Sequence, residues 1–110
     1  MEDLSTAYLR RKRKRLIQQL AQLEPLMMRG SIVERYKKCG KPNCKCSTGK
    51  GHGPKYYYTI ALPKQSPVMV YIPTNLKNTI GSAISNYQKA KKIMEELSHV
   101  NRELLIREQL

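Results

Sequence analysis

The chain has no phenylalanine and no tryptophan, so all seven of its aromatic residues are tyrosines. A core must come from Leu, Ile, Val and Met, helped by the ring faces of tyrosine. Carboxylates are scarce as well: 8 Asp and Glu stand against 21 Lys and Arg. So few acids are too thin a supply for a two-metal nuclease centre. No apolar run approaches the roughly 20 residues of a membrane-spanning helix. Residues 1–30 also lack the uninterrupted apolar stretch of a secretory signal. At 110 residues the chain is one domain's worth, too short for a complete nucleotide-binding α/β enzyme. These absences lead us to expect a single-domain, soluble, cytoplasmic protein.

What is abundant is positive charge. The formal net charge is +13, and it is unevenly distributed. Residues 1–64 carry 15 basic and 4 acidic side chains, whereas residues 65–110 carry 6 and 4. An excess of +11 in one half leads us to expect a coherent positive surface suited to phosphates.

Patterning predicts an α+β fold in the order α-β-β-β-α. Residues 1–30 hold a basic helix from Leu4 to Glu24, with Leu9, Leu16 and Leu23 recurring every seven residues. Asp3 or Ser5 is placed to cap it, and Pro25 to end it. Residues 31–73 read as a three-stranded antiparallel sheet. Its strands are Ser31–Lys37, Tyr56–Leu62 and Val68–Ile72, the last two joined by the turn-prone segment Pro63-Lys64-Gln65-Ser66-Pro67. Residues 38–55, rich in glycine and holding every cysteine, read as a loop. Residues 74–110 form a long helix, capped by Thr74 or Asn75, with Ile80, Ile84, Tyr87, Met94, Leu97, Leu104 and Leu105 at helical spacing. About 35 residues of helix are roughly 50 Å long, more than a three-stranded sheet covers. The surplus should pack against the first helix or against a second copy in a homodimer.

Cys39, Cys44 and Cys46 read C-x4-C-x-C, and His52 follows. Three thiolates and one imidazole complete a tetrahedral Zn2+ shell, and Gly40, Pro42, Gly49, Gly51 and Gly53 suit a backbone that wraps an ion. A disulfide fits poorly, because the cysteine count is odd and the setting looks reducing. Unconnected surface thiols are the plain alternative, against which stands the clustering of every cysteine within eight residues. A zinc loop of this kind would aim Lys37, Lys38, Lys41, Lys45, Lys50 and Lys55. His99 lies far off on the last helix and reads as solvated or interfacial.

Arg10, Arg11, Lys12, Arg13, Lys14 and Arg15 are six consecutive cations. On a helix they cover every direction around the axis, so some face solvent even if the leucine stripe packs inward. No acid interrupts the sequence between Asp3 and Glu24, so the run repels itself unless an anion accepts it. A merely solvated face usually intersperses Glu at i+4. A membrane-surface helix would need more apolar and aromatic side chains than Tyr8, Leu9, Leu16 and Ile17 supply, so no membrane partner is expected. Tyr56, Tyr57 and Tyr58 open a strand, with Tyr57 pointing opposite to its neighbours. Core filling is their plain role; stacking on bases is the functional alternative.

The stretch from Arg29 to Tyr58, R-G-S-I-V-E-R-Y-x-x-C-G-K-P-x-C-x-C-x5-H-G-P-x-Y-Y-Y, resembles a family of small prokaryotic proteins. They are commonly encoded beside transposases or other mobile-element genes. The resemblance implies a bacterial or archaeal setting and a link to element DNA, and carries no activity with it. The first helix and its basic run lie outside this motif.

Catalytic signatures are absent. There is no HExxH, no H-x-E followed by PCxxC, and no HxH pair, so a non-enzyme is expected. The leading expectation is a zinc-stabilised nucleic-acid-binding protein, with DNA favoured over RNA. The alternative is an accessory or inhibitory module that contacts a transposase or another nucleic-acid enzyme.

Overall fold

The computed structural model describes residues 3–37, 49 and 51–110. Its elements are α1 (Thr6–Ala21), β1 (Ser31–Lys37), β2 (His52–Ile60), β3 (Val68–Ile72), a 3-10 turn (Thr74–Leu76) and α2 (Lys77–Ile106). The α+β class and the element order are as the sequence predicts. Two compact units are formed, one by Met28–Ile84 and the other by Met1–Met27 with Ser85–Leu110.

The helical unit is an antiparallel pair. Ser5 caps α1, its hydroxyl accepting the amide of Tyr8 at 3.0 Å. The helix stops at Ala21, earlier than the expected Glu24, because the ring of Pro25 would collide with the carbonyl four residues back. Leu9 and Leu16, two turns apart, are buried with Val100 and Leu104 of α2, and Tyr8, Ile93 and Leu97 pack beside them. Val100 and Leu104 of the long helix are thus met by α1 within one chain, while Leu105 and Ile106 are exposed. Met94 is exposed as well. Arg107 Nε pairs with Glu103 at 3.0 Å, and its Nη1 donates to the Thr6 hydroxyl at 3.3 Å. Asn86 closes the unit by donating to the carbonyl of Leu26 at 3.2 Å.

In the sheet unit the strand order is β1-β2-β3, all antiparallel. β2 begins at His52, so residues 52–55, expected in the loop, are strand. The reason is a bulge: the register shifts between Arg35 and Lys37, and Gly53 and Pro54 sit where β1 supplies only Tyr36. β3 pairs only from Tyr56 onward, so β2 is an edge at Pro54 and no ladder bond needs the missing amide. Gly53 has φ +150, and a β-carbon there would lie 2.8 Å from the carbonyl oxygen of Arg35. Only glycine fits the bulge.

The expected side-chain cap of the last helix is replaced by backbone. The 3-10 turn leads out of Pro73 without a side-chain cap bond, and the amide of Leu76 donates to the carbonyl of Pro73 at 2.8 Å. The first turns of α2 then lie against one face of the sheet. Ile32 of β1 comes within 3.9 Å of the β-carbon position of Gly81, and Ile72 is buried. Met28, Tyr58, Val70, Leu76 and Ile80 help to line an apolar cavity of about 250 Å³ on that face.

Candidate nucleic-acid interface

Charge separates the two units. Met28–Ile84 holds ten Lys and Arg and a single carboxylate, Glu34, a net of +9. The helical unit is nearly balanced by comparison, with eleven cations and seven acids, a net of +4. Glu34 is itself engaged: the Tyr36 hydroxyl donates to its Oε1 at 2.7 Å. That bond and the negative charge of Glu34 hold the Tyr36 phenol above its ordinary pKa.

Cross-strand partners share a face of the sheet, so the register sorts the side chains. On the face toward α2 lie Ile32, Glu34, Tyr56, Tyr58, Val70 and Ile72. Tyr56 carries the Lys77 ammonium 4.4 Å above its ring centroid, and the Tyr58 hydroxyl donates to the carbonyl of Arg29. On the opposite face lie Val33, Arg35, Lys55, Tyr57, Met69 and Tyr71. There the rings of Tyr57 and Tyr71 meet edge to face, with centroids 5.7 Å apart and planes at 69°.

Of the sequence-predicted residues, Lys37 ends β1 and His52 starts β2, directly opposed in the ladder and both exposed. Lys55 is exposed on β2. Cys39, Cys44, Cys46, Lys38, Lys41, Lys45 and Lys50 lie outside the described residues. Among the described residues, no group of three His, Cys, Asp or Glu side chains is placed to hold a metal ion.

The six-cation run divides by direction. Arg10 donates through Nη2 to the Gln109 carbonyl at 2.8 Å and to its Oε1 at 3.2 Å. Arg13 donates to Asn101 Oδ1 at 3.2 Å. These two fasten α1 to the far end of the chain. Lys12 is half-buried, whereas Arg11, Lys14 and Arg15 are exposed; Arg11 and Lys14 lie on the side of α1 away from Leu9 and Leu16, and Arg15 flanks Leu16 beside Lys12. Of the three predicted stacking tyrosines, Tyr56 and Tyr58 are occupied on the α2 side, and Tyr57 alone points the other way. Its cross-strand partner is Tyr71, which no cysteine, basic or tyrosine-run motif marks. The alternation of V-M-V-Y-I, combined with the register of the hairpin it closes with β2, is the signal that places it.

This arrangement, a helical pair and a strongly basic three-stranded sheet on one chain, defines a small α+β protein with its charge concentrated on the sheet unit. The chain belongs to the family of the domain of unknown function DUF6788, whose profile it matches over residues 6–80. That match begins at the first residue of α1 and so takes in the basic run, which the Arg29–Tyr58 motif leaves out. No curated protein and no solved structure matches the chain. Among the described residues no helix is long and apolar enough to cross a membrane.

Proposed function

We propose that this chain is a zinc-stabilised, highly basic nucleic-acid-binding protein without catalytic activity, acting on the DNA of a mobile element, with RNA as the second target class. The observation that carries the reading is the sheet unit's ten cations against one carboxylate, already hydrogen-bonded by Tyr36. Such a field repels itself in the free protein and is neutralised by a polyanion. Arg11, Lys14 and Arg15 add exposed cations on α1. The link to element DNA rests on the resemblance of residues 29–58.

Zinc enters through the ends of the cysteine segment. Cys39 follows Lys37 by two residues, and Lys37 pairs in the ladder with His52. The sheet thereby brings the chain's exit and return together, as a Cys39, Cys44, Cys46 and His52 ligand set requires. Zinc would supply no chemistry to a reaction, only closure of the loop and placement of its lysines.

The test is the salt dependence of binding to duplex DNA and to RNA. If about six to eight phosphates are neutralised, log K falls against log salt with a slope near −5 to −7 for duplex. No binding at about 50 mM salt, or a slope near zero, overturns the proposal.

A further inference from the structure

The face of the sheet opposite the first turns of α2 combines three features. Tyr57 and Tyr71 form one aromatic pair across β2 and β3. Tyr71 is 51% exposed and Met69, on the same face, 45%. One row along, about 6.8 Å away at two residues of strand rise, Arg35 and Lys55 oppose each other directly across β1 and β2. Both are exposed. Like charges directly opposite in a ladder are destabilising. Among the described residues no carboxylate on this face relieves them, since Glu34 points to the other side and the ion pair formed is Arg107–Glu103.

We infer that this face is a platform for single-stranded nucleic acid. Unstacked bases lie on Tyr71 and Tyr57, and the backbone phosphate runs over the Arg35–Lys55 pair. The inference rests on the nucleic-acid reading above and assigns it a strand state and a surface. Duplex bases are already stacked on one another and offer no free ring face. An exposed tyrosine beside paired cations therefore suits single strands, where every base has a ring face and affinity is largely independent of sequence. The charge complementarity selects a polyanion as occupant: among the described residues the face carries the Arg35–Lys55 pair and no acid. Tyr56 and Tyr58 lie on the other face, where Lys77 and the Arg29 carbonyl already engage them.

The experiment compares the full chain with Tyr71→Leu, Tyr71→Phe and Tyr71→Trp on two probes. One is an oligodeoxythymidine of about 16 nucleotides, within the range of site sizes for such surfaces; the other is a mixed-sequence duplex of equal length. Tyr71 sits on the edge strand and is half exposed, so these changes leave the fold intact, and circular dichroism checks that they do. Tyr71→Leu should weaken single-strand binding by roughly 5- to 100-fold and leave duplex binding within about twofold. Tyr71→Phe keeps the ring and should bind as the parent does. Tyr71→Trp introduces the sole tryptophan of the chain, whose fluorescence should be quenched by the single strand. If both probes bind and Tyr71→Leu changes neither, the platform is overturned while nucleic-acid binding stands. If neither probe binds, both readings fall. If Tyr71→Leu instead changes the oligomeric state in sedimentation, the face is a contact between copies and the platform is likewise overturned.

Discussion

Gly30 lies so close to Tyr58 that a β-carbon on it would stand 2.6 Å from Cε2 of the ring, while the Tyr58 hydroxyl donates to the carbonyl of the preceding residue, Arg29. The same β-carbon would meet the carbonyl oxygen of Thr59 at 2.6 Å, and φ is +144, a region that side chains other than hydrogen rarely enter. This one junction starts β1 and fixes it against β2. Gly30→Ala should therefore destabilise the chain by at least about 1–3 kcal/mol from backbone strain alone. Tyr58→Phe, which loses only one hydrogen bond at an exposed site, should cost about 0.5–1 kcal/mol. Urea denaturation checks the ranking, and equal midpoints for Gly30→Ala and the parent would show that the junction is not tight.

Adjacent residues of α2 offer a contrast in burial. Leu104 is fully buried against Leu9, whereas Leu105 is 59% exposed. Leu104→Ala should cost about 2–4 kcal/mol through lost contacts and a cavity, and Leu105→Ala should stay within about 0.5 kcal/mol of the parent. The measurement is the pair of denaturation midpoints. Similar losses at both positions would mean that Leu105 too is covered, by a second chain.

Much of this fold is legible in the residues, and the exceptions have physical causes. β1 and β3 run over the expected Ser31–Lys37 and Val68–Ile72, because alternating β-branched residues bounded by Gly30, Pro67 and Pro73 leave little choice. β2 is longer than expected because a bulge lets Gly53 and Pro54 stay in a strand, and glycine and proline density alone reads as loop. The Leu9/Leu16 stripe announces a buried face, but not its partner. That Arg10 and Arg13 are tied to Gln109 and Asn101 depends on contacts 99 and 88 residues apart, which no local pattern encodes. The Tyr57–Tyr71 pair, with Tyr71 exposed, needs two things at once: the hairpin register and the side on which α2 starts.

The Tyr36–Glu34 contact predicts a pH response. The Tyr36 phenol titrates above its usual 10.0, chiefly because it donates to the Glu34 carboxylate, with desolvation and the charge of Glu34 adding to the shift. A raised folded-state pKa means that the contribution to stability is complete below pH 10.0. It is lost as pH climbs through the higher folded value. Glu34→Gln removes the charge and should return one tyrosine to the ordinary range. Difference titration of tyrosinate absorbance between the parent and Glu34→Gln reads this directly. Superimposable curves would break the link.

The zinc proposal makes a stoichiometric claim of about one ion per chain, as a Cys3His shell holds. Cys44→Ser should release the metal, since losing one thiolate from a tetrahedral site removes much of the binding energy. The ring NMR signals of His52 should shift when zinc is added to metal-free protein, because coordination through one ring nitrogen changes the electronic environment of the imidazole. Elemental analysis below about 0.2 zinc per chain after chelator-free purification would exclude the site.

The basic run supplies the sharpest separation of structural from binding cations. Arg10 and Arg13 are hydrogen-bonded across the helical pair, so changing either to Gln should cost about 0.5–1.5 kcal/mol of stability. Arg11, Lys12, Lys14 and Arg15 make no such bonds among the described residues, and Arg11 with Lys14 and Arg15 forms like-charge i, i+3 and i, i+4 pairs. Replacing these four by Gln keeps helix propensity nearly unchanged and removes repulsion, so the fold should be as stable or slightly more so. Affinity for nucleic acid should fall, and the salt slope should shrink by about 2–4 as fewer counterions are released. Any sequence preference should persist, because phosphate contacts position a protein without reading bases. An unchanged slope in the quadruple variant, with stability retained, would take α1 off the interface and leave the sheet unit's cations as the whole of it.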